Sequence, residues 1–237
     1  SQGSSMTIRS AMILAAGRGE RLTPLTDAIP KPLLKVGPRC LIEYHRDALI
    51  EAGVDQIVIN VAHLADMIIE RLGHSAQNDT QICYSREPSE ALETGGGIHN
   101  ALPLIKSDPF IVVNGDIWTD YKFADLHKPL TKLAHLVLVR NPDHNPKGDF
   151  SLRGSDVIAN DTDHLSSLTF SGIGVYRAEL FEKCTPGRFA LAPLLHQAIA
   201  AGTVSGEMYS GRWMDVGSPV NLRTAQTKAE ELFKSDP

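Results

Sequence analysis

Asp116 and Asp215 share a setting. Each follows a short apolar segment and lies beside a glycine, in Phe110–Asp116 with Gly115 and in Trp213–Gly217 with Gly217. A carboxylate at the end of a buried strand, where the backbone can come close to a ligand, suits a hard divalent cation. Mg²⁺ is usually held by one or two carboxylates together with substrate phosphates. Singly, each aspartate equally suits the cap of a helix or turn. A second group lies near the start of the chain. Ala15, Ala16, Gly17, Arg18, Gly19, Glu20 and Arg21 follow an apolar run, and Lys31 stands between Pro30 and Pro32. Two glycines let successive N–H groups close around an anion, and the small alanines leave room at a strand end. Arg21 offers a fork to phosphate oxygens and Lys31 a compact charge. Two common phosphate loops do not match. The dinucleotide fingerprint lacks its third glycine, with Leu22 in that region, and no Gly-Lys-Ser/Thr follows as a Walker loop requires. A third segment, Leu92–Gly97, carries Gly95, Gly96 and Gly97 in a row, a poor helix start unless something must approach the backbone closely.

These groups need elements to hold them. Apolar runs and β-branched stretches predict strands over 10–15, 56–62, 80–86, 110–113 and 135–139, and helical spacing predicts helices over 41–52, 64–72 and 98–104. Strands alternating with helices imply βαβ units and a mostly parallel sheet, with ligands at the carboxyl ends of the strands. Beyond Asn141 the pattern changes. Strands are expected at 150–152 and 168–176, separated by a polar stretch over 155–167, and at 203–208 and 213–216. Helices are expected over 191–201 and 221–233. No repeat or linker interrupts the chain, so residues 6–237 read as one domain, and Ser1–Ser5 reads as an expression-tag remnant.

At 237 residues the chain is long enough to bury a sizeable core. Its net charge of −5 argues against nucleic acid as a main partner. No apolar run reaches the length of a membrane span, and no secretory leader is visible. Cys40, Cys83 and Cys184 form neither a metal-ligand spacing nor a disulfide framework, which points to buried thiols in a reducing cytoplasm.

Leu14, Gly17, Gly19, Arg21, Pro24, Thr26, Pro30 and Lys31, in that order and spacing, resemble the signature of the sugar-1-phosphate nucleotidyltransferases. The resemblance implies a Rossmann-like, mixed and mostly parallel α/β sheet flanked by helices, of the GT-A-like kind. It also implies that the Gly17–Arg21 loop wraps a triphosphate, that Arg21 and Lys31 meet its phosphates, and that Asp116 and Asp215 hold a catalytic Mg²⁺. By the same resemblance Thr94, Gly95 and Gly96 read the base, and Gly148, Asp149, Ser171 and Gly172 hold the sugar, with Asn114 able to reach either ligand. The strings Leu92–Ile98, Val113–Tyr121, Gly148–Phe150 and Leu168–Ile173 are similar to the members of the family that join UTP to N-acetylmuramic acid α-1-phosphate in bacterial cell-wall recycling. Arg140 and Lys147 are then candidates to meet that sugar's carboxylate. Many relatives carry a further acyltransferase β-helix. None is expected here, and a monomer is expected. A sibling enzyme with another sugar and nucleotide, and a silent nucleotide-sugar sensor, are the competing readings.

Overall fold

A computed structural model describes residues 6–160 and 166–234. Ser1–Ser5, read as a tag remnant, and part of the polar stretch over 155–167 lie outside the described residues. In chain order the elements are β1 Ser10–Leu14, the single turn α1 Leu25–Ala28, the hairpin β2 Lys35–Val36 and β3 Arg39–Cys40, α2 Leu41–Glu51, β4 Gln56–Val61 and α3 Ala65–Leu72. Then come β5 Gln81–Arg86, α4 Glu93–Ala101, β6 Phe110–Asn114, β7 Ile117–Thr119, β8 Ala134–Val139, β9 Phe150–Arg153 and β10 Asp156–Ala159. The chain continues with β11 Thr169–Tyr176, α5 Leu191–Ala200, β12 Val204–Met208, β13 Trp213–Asp215 and α6 Pro219–Phe233.

Nine strands form one sheet in the order β5-β4-β1-β6-β11-β8-β12-β10-β9. Only β11 and β10 run against the rest, so the sheet is mixed and mostly parallel in direction. β4 is buried along its whole length and β1 along nearly all of it, as strands covered by helices on both faces must be. Their register sets the site. Leu14 pairs with Asn60 of β4 on one side and with Asn114 of β6 on the other, so three parallel strands end at one level.

β7 and β13 form a separate antiparallel ribbon in which Asp215 pairs with Ile117. Trp118, at the centre of the ribbon, is fully buried. It packs in a core of its own with Leu22, Leu34, Val36, Leu41 and Val216, closed by Leu222, Ala225 and Ala229 of α6. The Arg212 guanidinium stacks 4.3 Å from the Trp118 ring centre. The last helix thus clamps the ribbon onto the end of the phosphate loop.

Two expectations need correction. The glycine run does not precede a helix but lies inside it, since α4 begins at Glu93. A Cβ at Gly95 would fall 2.5 Å from the Phe189 ring, and one at Gly96 would fall 2.3 Å from the Gly187 carbonyl oxygen. Close packing against the 187–189 segment therefore offsets the poor helix propensity. The polar stretch after Leu152 is not structureless either. Asp156–Ala159 pairs with Phe150–Arg153 across a tight Gly154–Ser155 turn, with Gly154 at φ +61°. Only Val157 is buried in this strand, which left too weak an alternation to read.

Candidate active site

The phosphate loop leaves the end of β1. Gly19 adopts φ +69°, and its carbonyl accepts from the Thr26 hydroxyl at 2.7 Å, with Thr26 fully buried. Thr26 acts as a peg that closes the loop. The three-strand floor formed by Asn60, Leu14 and Asn114 opens into a cleft of about 180 Å³. Ala15, Ala16 and Gly17 line one wall, Lys31 and Asp116 the mouth, and Glu93 and Thr94 the far side.

Gly115 carries the chain over the end of β1. Its N–H donates to the Leu14 carbonyl at 2.8 Å, and a Cβ there would lie 2.6 Å from the same oxygen. The next residue, Asp116, is bridged to Lys31, with Nζ 3.1 Å from Oδ2. Asp215 arrives from the other strand of the ribbon. The Val216 N–H donates to the Asp116 carbonyl at 2.8 Å, so the two aspartates are joined through the backbone. Asn221 of α6 holds the Asp215 carbonyl at 2.8 Å, and Asp215 Oδ1 accepts from the Gly217 N–H at 2.7 Å. Burial raises the Asp215 carboxyl above the ordinary aspartate range, and the Asp116 charge raises it further. Two carboxylates held together against their own repulsion fit a divalent cation. A donor set of two acids leaves the remaining positions to water and phosphate oxygens, which suits Mg²⁺ better than a closed protein cage. Beneath the Gly115–Ile117 turn, burial lowers the His45 imidazole to about 4, so a neutral ring supports it.

The other residues singled out from the sequence divide into groups. Arg21 comes to the side of Asp215: a Cβ at Gly217 would lie 2.5 Å from Arg21 Nη2 and 2.7 Å from Asp215 Oδ1. Glu20 is exposed on the loop. Arg18 turns away from the cleft and bonds Asp27 and the Thr26 carbonyl. Gly95 and Gly96 pack against the 187–189 segment, with the Gly96 N–H donating to the Phe189 carbonyl at 2.9 Å. That bond engages one of the amides expected to read the base.

On the sugar side, Gly172 at φ +86° sits against Asn114, with a Cβ position 2.7 Å from Asn114 Nδ2. Ser171 is buried and its hydroxyl accepts from the Ile173 N–H at 3.0 Å, within the irregularity that breaks the β11–β8 register. That bond engages its hydroxyl within the strand. Asp149 uses one oxygen for Asn145 Nδ2 at 3.1 Å and the other for the Phe170 N–H at 2.8 Å. Gly148, at φ +67°, packs against Asn141 and Ser167. Arg140 and Lys147 are exposed and form no ion pair among the described residues.

Sequence reading passed over Asn60 and Glu87, both of which line the cleft. The available signal was a lone polar residue near the end of an apolar strand in the first case and an acid before Pro88 in the second.

A family model described as nucleotidyl transferase matches residues 10–150, which carry the phosphate loop, the glycine run and Asp116. The chain belongs to the nucleotidyltransferase family. Among nucleotidyltransferases it is 47% identical, over 92% of its length and 97% of the relative's, to an N-acetylmuramate alpha-1-phosphate uridylyltransferase of Neisseria meningitidis serogroup B. It is 32% identical to a protein of the same description from Caulobacter vibrioides, over 96% of this chain and 99% of that one. The fold is that of a crystallised putative glucose-1-phosphate thymidylyltransferase from Bacillus anthracis, with a TM-score of 0.81 at 21% identity, covering 94% of this chain and 96% of that one. The sheet and its helices are therefore of the GT-A-like nucleotidyltransferase class.

Proposed function

We propose that this chain joins UTP to N-acetylmuramic acid α-1-phosphate, releasing pyrophosphate and UDP-N-acetylmuramic acid, with Mg²⁺ held by Asp116 and Asp215, in cell-wall recycling. The observation that carries the reaction is the pairing of those two carboxylates beside the cleft that Asp116 and the phosphate loop line. The substrate pair is supported by the 47% identity to the Neisseria protein over nearly its full length.

The chemistry needs no general base. A sugar phosphate is already largely dianionic near neutral pH, its second pKa being about 6 by analogy with protein phosphoesters. The difficulty is to bring two anions together and to stabilise the leaving pyrophosphate, so positioning and electrostatics carry the catalysis. The Gly17–Arg21 backbone wraps the triphosphate. Lys31 and Arg21 offset charge that develops on the pyrophosphate. When bound, the metal would supply Lewis-acid polarisation of oxygens on the phosphorus under attack. Asn114 and Gly172 bring the sugar side against the nucleotide side. Arg140 and Lys147, exposed and without an ion pair among the described residues, are the candidate cations for the lactyl carboxylate. No helix among the described residues is long and apolar enough to cross a membrane, and three free thiols fit a cytoplasmic enzyme.

The test is pyrophosphate release with UTP, GTP, CTP, ATP and dTTP, each against the 1-phosphates of N-acetylmuramic acid, N-acetylglucosamine, glucose and mannose. The highest kcat/KM is expected for UTP with N-acetylmuramic acid 1-phosphate, because a site fitted to its carboxylate leaves N-acetylglucosamine 1-phosphate with an unpaired group and an empty volume. Equal efficiency with N-acetylglucosamine 1-phosphate, or greater efficiency with another nucleotide, would sink the substrate assignment.

A further inference from the structure

Asn60 is 3% exposed, in a strand that is buried throughout. Its amide does two things at once. Oδ1 accepts from the Ala15 N–H at 2.7 Å, at the root of the phosphate loop. Nδ2 donates to Glu87 Oε1 at 2.9 Å. The other oxygen of Glu87 accepts from the Leu92 N–H at 3.1 Å, where the chain enters α4 and the glycine run. The orientation of the amide follows from chemistry: Ala15 N–H can only donate and a carboxylate can only accept, so Oδ1 and Nδ2 have one arrangement. Gly97 of α4 closes over the pair, since a Cβ there would lie 2.6 Å from Glu87 Oε1 and 2.8 Å from Asn60 Nδ2.

We propose that Asn60 and Glu87 are positioning residues that lock the phosphate loop and the α4 entry into one frame, so that both ends of the nucleotide are gripped in a fixed mutual register. This rests on the nucleotide-binding reading of the cleft. Three bonds in series join the root of the phosphate loop to the α4 entry. Each oxygen of Glu87 accepts one protein N–H, so the carboxylate is held in place between Asn60 and Leu92. A hydrogen bond with a charged partner contributes more than a neutral one, and leaving a buried donor without an acceptor costs more than the bond itself contributes.

The donor and acceptor polarity supplies the test. Glu87→Gln offers one acceptor to two donors, so one bond fails. Asn60→Asp sets two carboxylates against each other, so the middle bond fails and repels. In Asn60→Asp/Glu87→Gln the polarity of the middle bond is reversed. The new carboxylate accepts from Ala15 and from the new amide, whose oxygen accepts from Leu92, and all three bonds are restored in nearly the same volume. Each single variant is expected to raise the nucleotide KM about ten- to a hundredfold, with the sugar-phosphate KM unchanged, and the double variant to recover most of that loss.

The assay uses the nucleotide on which the unsubstituted protein is most efficient. A wrong UTP assignment therefore shows in that protein alone, and a wrong relay shows only in the variants. The deciding comparison is the double variant against Glu87→Gln, each checked for folding by its Tm. A double variant that is unfolded, or no better than Glu87→Gln, overturns the proposal. So does a loss that falls on Tm or on the sugar-phosphate KM while the nucleotide KM stays constant.

Discussion

The two sides of the cleft are built differently. The nucleotide side is backbone: Ala15, Ala16 and Gly17 at the end of β1, and the α4 entry held by segment 187–189. The sugar side is a web of short polar side chains. Asn141, Asn145, Asp149 and Thr169 bond chiefly to one another and to the backbone near them, and Gly148 and Gly172 leave room for Asn141 and Asn114. Backbone contact at consecutive positions suits a triphosphate, the part that the proposed substrate shares with those of sibling nucleotidyltransferases. A side-chain web can be rewired residue by residue, which suits the part of the substrate that differs between siblings. The paired aspartates stand between the two sides, and the Asp116 carbonyl joins them.

The comparison breaks most visibly at that junction. Asp116→Asn or Asp215→Asn is expected to cut turnover by orders of magnitude at saturating Mg²⁺ while the protein stays folded, measured by pyrophosphate release. Near-normal turnover in either folded variant removes that residue from the metal site. Asp215→Asn carries a second expectation. Its carboxyl is raised in the folded protein by burial and by Asp116, from an ordinary value of 3.8. The ionised group therefore costs stability above the folded pKa, and the cost disappears as pH falls through that pKa toward the unfolded value. The metal-free Asp215→Asn protein is thus expected to melt no lower than the unsubstituted one at neutral pH, since the amide oxygen can still accept from Gly217. A clear fall in Tm would show that the charge stabilises the fold.

A smaller effect is expected at Lys31, on the nucleotide side of the same junction. Lys31→Ala removes the cation 3.1 Å from Asp116. Both kcat and kcat/KM should drop, by about a hundredfold or more if its charge acts on the transition state. A rise in the sugar-phosphate KM alone, with kcat intact, would move Lys31 to the other side of the comparison.

The smallest effect sharpens the sugar side. Asp149→Ala leaves the Phe170 N–H without its acceptor and the Asn145 amide with Thr169 Oγ1 alone, at a cost of about 1–3 kcal/mol. The Tm should fall and the sugar-phosphate KM should rise, with the nucleotide KM constant. Equal shifts in both KM values would mean that the two sides are not separable.

The same contrast explains what could be read from the sequence. Gly17, Gly19, Arg21 and Lys31 fall within one short span, so their order alone marks the loop. The parallel strands were readable because strands buried on both faces read as unbroken apolar runs. Asn60 and Glu87 were not, because each is a single polar residue whose partners lie far along the chain. Gly95 and Gly96 were visible as glycines, but their reason, the Phe189 ring and the Gly187 carbonyl, comes from a segment with no marked pattern. Ser171 and Asp149 were read as ligand contacts from a resemblance in sequence. Their hydrogen bonds show structural work that types and spacing do not reveal.

The bond from Val216 to the Asp116 carbonyl has a consequence for how the molecule comes into being. A ribosome delivers the phosphate loop, the first parallel strands and Asp116 well before Trp213–Gly217. Until that later segment emerges, Asp116 lacks its ribbon partner, and the helix that clamps the ribbon has not been made. The two aspartates are therefore brought together only by a late step of assembly, after the loop and the strands that carry it have been made.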